Sequence, residues 1–156
     1  MRTSKRFSLI AVGLFLGAVV LALAVFRGGA LFAPEQATLL PLSECDLQQG
    51  ACTTPLPGGG SLTLRFEPRP VRPMTEIRFR LDVDGVEARR AALSFTGVSM
   101  NMGLNRFDLK QENGAFTGKG ILPVCVRNRM DWEVQARIMT PKGLFAAPFR
   151  FTTYKH

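Results

Sequence analysis

EIRFRLDVDG, residues 76–85, has a period of two. Ile77, Phe79, Leu81 and Val83 alternate with Glu76, Arg78, Arg80, Asp82 and Asp84. Successive side chains of a strand point to opposite faces, so the run reads as a strand with one buried and one wet face. Helical spacing does not fit it. Asp84-Gly85 then supplies a turn. The Asp-x-Asp-Gly pattern superficially resembles the start of a calcium loop, but the later ligands and the closing Glu are missing.

The same alternation extends in both directions. Leu62, Leu64 and Phe66 repeat it upstream, and Trp132, Val134, Ala136 and Ile138, then Phe149 and Phe151, repeat it downstream. Asn113-Gly114 and Pro141-Lys142-Gly143 mark further turns. The pattern predicts about seven strands, near 61–67, 75–84, 89–99, 104–111, 115–122, 130–139 and 145–154. An all-β fold follows, and strands of this number and spacing predict an immunoglobulin-like antiparallel β-sandwich over 61–156. The Gly58, Gly59 and Gly60 run lacks the Lys-Ser/Thr pair of a phosphate loop, so 27–60 reads as a spacer with a Cys-containing loop.

Residues 8–26, SLIAVGLFLGAVVLALAVF, carry no charge. A helix of that length spans roughly 28 Å, close to the hydrocarbon thickness of a bilayer and longer than the apolar core of a cleaved signal. Arg2, Lys5 and Arg6 precede the run and Arg27 follows it. The expectation is an uncleaved single-pass anchor in the inner membrane. Residues 1–7 would then be cytoplasmic and the C-terminal domain periplasmic.

The net charge of +8 is unevenly spread. The four basic residues of 1–33 face no acid, which leaves sixteen basic and twelve acidic residues beyond them. No basic run is interleaved with aromatics, so nucleic-acid binding is not expected.

Three cysteines, Cys45, Cys52 and Cys125, are present. In an oxidising compartment Cys45 and Cys52 most simply form a disulfide, with a redox or metal-binding pair as the alternative. Cys125 is left over. It either packs as a small hydrophobe or ligates a soft metal. Met100 and Met102 sit on the parity opposite to Ala91, Leu93 and Phe95, so both thioethers are expected to point away from the core unless Gly97 hosts a bulge. Met130 and Trp132 share the parity of Val134 and suit a core, while also lying near Cys125 in sequence. Thioethers and thiolates favour copper(I). Met100, Met102, Cys125 and Met130 are therefore the candidate ligands, with Trp132 either beside the ion or buried.

The pattern M-x-M-G, then F-x-G-x-G-x-L-P-x-C, then M-x-W, behind an apolar N-terminal run, resembles small membrane-anchored periplasmic proteins of the YtkA-like/FixH-like type. The matching positions are Met100, Met102, Gly103, Phe116, Gly118, Gly120, Leu122, Pro123, Cys125, Met130 and Trp132. The resemblance covers about 60–156. It implies an immunoglobulin-like sandwich, and it implies copper handling or support of respiratory oxidase assembly, with a membrane complex or a copper-acceptor protein as partner. No histidine accompanies the methionines here, since the sole one is His156, so a site would be sulfur-dominated.

Catalysis with a histidine base is not expected with His156 at the terminus, and the chain reads as a non-enzyme. Two alternatives to copper handling stand. One is a metal-independent interaction module that presents its methionines as a contact surface. The other is thiol–disulfide chemistry through Cys45 and Cys52.

Overall fold

The computed structural model describes residues 16–19 and 36–155, and the chain divides into two compact units, 1–35 and 36–156. Residues 16–19 are helical. Most of the anchor expected at 8–26 lies outside the described residues, and among these no helix is long and apolar enough to cross a membrane.

Every regular element of the second unit is a strand: β1 (Thr38–Leu39), β2 (Cys52–Pro55), β3 (Ser61–Glu67), β4 (Glu76–Asp84), β5 (Arg90–Gly97), β6 (Asn105–Glu112), β7 (Ala115–Ile121), β8 (Arg129–Thr140) and β9 (Gly143–Tyr154). The expectation of seven antiparallel strands is corrected. Nine strands form one curled, mixed sheet in the order β1-β9-β8-β5-β6-β7-β4-β3-β2, with β1 parallel to β9. The seven expected strands correspond to β3–β9.

The sheet curls because β6 serves both halves. Asn105 to Leu109 pair with β5, and Lys110 to Glu112 pair with β7. The two halves then face one another. Phe66 of β3 lies 5.8 Å from Phe95 of β5 and 5.6 Å from Phe151 of β9, ring centre to ring centre. Burying each such side chain contributes about 1.5–3 kcal/mol, so this aromatic stack is a main source of stability.

The glycines of the F-x-G-x-G run explain how β6 fits. A Cβ on Gly120 would fall 2.3 Å from the Phe107 ring, and one on Gly118 would fall 2.6 Å from Leu109. Bare backbone on β7 therefore makes room for the inward side chains of β6 as it changes partner.

Residues 36–60, read from the sequence as a spacer with a Cys-containing loop, fall within the second compact unit. Leu40, Leu47, Cys52 and Leu56 are buried in the common core, which is what fixes the segment. Gly58, Gly59 and Gly60, all at positive φ, turn β2 into β3. Gly60 must be glycine, because its Cβ would meet the Asp84 carbonyl at 2.2 Å. Cys45 and Cys52 are joined by a disulfide with Cα atoms 5.6 Å apart. With its own core, its own disulfide and all nine strands paired within it, 36–156 has the features of a domain able to fold alone.

Candidate metal site

Two connections meet at one pole of the curled sheet: 98–104 between β5 and β6, and 122–128 between β7 and β8. The pole is built by pairing. Gly97, the last residue of β5, stands opposite Trp132 of β8, and the Val98 amide donates to the Asp131 carbonyl at 2.8 Å. β5 therefore stops beside the start of β8, and the chain after Gly97 bends over the strand ends.

That bend gathers sulfur. Cys125 Sγ lies 3.7 Å from Met100 Sδ. The Arg127 amide points at Cys125 Sγ from 3.5 Å. Sulfur ligands held about 2.3 Å from one shared ion at tetrahedral to trigonal angles stand roughly 3.8–4.0 Å apart, so the observed separation suits joint ligation with little movement. Met102 and Met130 both lie against Gly97, at the start of the connection that carries Met100. A Cβ on Gly97 would fall 2.2 Å from Met130 Cε, 3.2 Å from Met102 Cγ and 2.2 Å from the Met100 carbonyl. Met130 Sδ also accepts a hydrogen bond from Ser99 Oγ at 3.5 Å.

One expectation is corrected; for Cys125, Trp132 and Met130 the burial already weighed in the sequence is what the structure has. Met100 and Met102 do not point away from the core. They are half-buried against it, because the strand ends at Gly97 and its parity does not extend to residue 100. Cys125 is a free thiol, buried at 5% exposure, within the core cluster and against Met100. Trp132 is fully buried and its Nε1 donates to Thr153 Oγ1 at 3.1 Å, which makes it a core tryptophan with a satisfied polar edge. Met130 is likewise buried. Gly97 is the residue that sequence reading missed as a contributor. Its isolated position inside a strand pattern, just before M-x-M, was the available signal.

The rest of the pole is electrostatically simple. Thr152 Oγ1 donates to Asp131 Oδ1 at 2.7 Å. That bond above all, opposed by partial burial and aided by Arg129 and Arg150, holds the Asp131 carboxyl below its ordinary pKa. Among the described residues no three His, Cys, Asp or Glu side chains gather as a metal-ligating group. The donor set at the pole is one thiol and thioethers, the combination that suits a soft monovalent ion.

No family model matches the chain, and no curated protein matches it. Among solved structures, a crystal structure of an engineered protein matches over 64% of this chain at 10% identity and a TM-score of 0.44. The chain spans about one fifth of that protein, 21% of its length.

Proposed function

We propose that the protein is a membrane-anchored, extracytoplasmic copper(I)-binding or copper-handling domain, with Met100, Met102 and Cys125 as ligands and Met130 as an adjacent fourth. The observation that carries this reading is the 3.7 Å approach of Cys125 Sγ to Met100 Sδ. A buried unpaired thiol beside a thioether is a soft donor pair, and copper(I) displaces the thiol proton when it binds. The Cys45–Cys52 disulfide supports an oxidising compartment. The anchor at 8–26 and the N-in orientation rest on the charge-free run and its basic flank.

An immunoglobulin-like sandwich is the reading of the fold supported by strand order. β3-β4-β7-β6 on one side and β9-β8-β5 on the other follow the order of that architecture. Membership of the YtkA-like/FixH-like group, support of oxidase assembly and a non-enzymatic role rest on the motifs quoted above.

The test is copper(I) titration of residues 36–156 against a competing chelator, with ascorbate keeping copper reduced and the disulfide intact. Binding of one equivalent, weakened at least about tenfold by Met100→Ala with Met102→Ala, supports the proposal. Unchanged affinity in that double variant removes it and leaves the metal-independent interaction module.

A further inference from the structure

The pole that carries the sulfur cluster differs from the rest of the domain surface. Within 36–155 the exposed large apolar side chains, all but Leu39 and Leu42, lie on its loops and strand ends. Val126 is 83% exposed and Leu104 67%, and Met74, Val98, Val124 and Tyr154 stand out beside them. The loops are tied together: the Met74 amide donates to the Leu122 carbonyl and the Lys155 amide to the Asn128 carbonyl, each at 2.9 Å. Turns at the opposite pole, at 57–60, 85–89, 113–114 and 141–142, hold no exposed large apolar residue.

Charge follows the same division. Residues 68–75, 98–104 and 122–128 contain no acid. Arg69, Arg72, Arg127, Arg129 and Lys155 lie in or beside them. At the rim Glu67 pairs with Arg78, Glu76 with Lys119 and Asp131 with Arg129, while Glu44 and Asp46 line a pocket at its flank with Val98 and Arg129.

We propose that this pole is a docking surface for an anionic lipid bilayer. The exposed apolar side chains come from three connections and the end of β9, gathered at one pole beside basic residues, the combination that suits shallow insertion at a lipid interface. Arginine and lysine beside them reach phosphate headgroups while their stems stay with the apolar side chains. Tyr154 supplies the amphipathic ring that favours the bilayer interface. The proposal stands on surface composition and needs neither copper nor residues 1–35.

The test uses residues 36–156 in sedimentation with vesicles of phosphatidylcholine, with and without phosphatidylglycerol. Retention on the anionic vesicles is expected, falling as salt rises and at least about tenfold weaker on pure phosphatidylcholine. Leu104→Glu with Val126→Glu is expected to weaken retention at least about tenfold with an unchanged thermal melt, since both positions are exposed. Arg72→Gln with Arg127→Gln is expected to remove the preference for anionic lipid. No retention at low salt overturns the proposal and leaves an acidic protein face as occupant, and equal retention of the Glu variant overturns it too.

Discussion

Met130 and Met102 both pack against Gly97, where an added methyl group would collide with the Met130 side chain and stand in tight contact with Met102. The sulfur cluster is thus organised by an absent side chain at a strand end. β5 and β8 bring Gly97 opposite Trp132, and the chain folds its methionines over the gap.

Gly97→Ala follows directly as a test of that packing. The added Cβ must displace the Met130 methyl and the Met100 carbonyl, an overpacking cost of about 1–3 kcal/mol. Gly120→Ala, which meets the Phe107 ring, should cost a similar amount. Chemical denaturation should find both variants destabilised, while copper(I) affinity should fall only in Gly97→Ala. Equal affinity losses would show that the glycine acts through stability alone.

The disulfide should contribute stability and nothing to the sulfur pole. Closing a loop with a sequence separation of 7 restricts the unfolded chain by about 2.5 kcal/mol on the entropic model. Cys45→Ala with Cys52→Ala should lower the thermal midpoint by several degrees and leave copper(I) affinity unchanged. A loss of affinity would revive a ligand or redox role for the pair.

Trp132 is expected to act as core. Trp132→Phe removes the indole donor and leaves the buried Thr153 hydroxyl without its partner, at a cost of about 1–3 kcal/mol. Copper(I) binding should persist. Its disappearance in a folded variant would place the indole in the site.

Asp131 sets one acid-sensitive contact. Its pKa is lowered in the folded protein, so the stability it contributes is present above the unfolded carboxyl value and is lost as pH falls through the lower folded value. Thr152→Val, which removes the leading cause of the shift, should raise the Asp131 pKa and move its part of the acid transition to higher pH. Carboxyl titration by NMR checks this, and an unmoved Asp131 titration would contradict it.

The strands were readable because one-sided burial writes an alternating pattern into each segment. Ile77, Phe79 and Leu81 are all buried on one face of β4. β1 and β2 were not readable. They have two and four residues, and their pairing partners, Phe145 and Leu64 among them, are set by tertiary contact. The ligand candidates were visible as residue types, and Cys125 and Met100 do meet. The orientation of Met100 and Met102 was misjudged because parity was carried past Gly97, beyond the end of β5. Convergence of separate loops is a property of strand order, and no local pattern encodes it.

Copper K-edge absorption of residues 36–156 loaded with one equivalent of copper(I) addresses the sulfur cluster itself. Only sulfur scatterers are expected in the inner coordination shell, with one short thiolate distance that disappears in Cys125→Ser. A shell dominated by nitrogen or oxygen, or a spectrum indifferent to Cys125→Ser, would contradict ligation by the Cys125–Met100 pair.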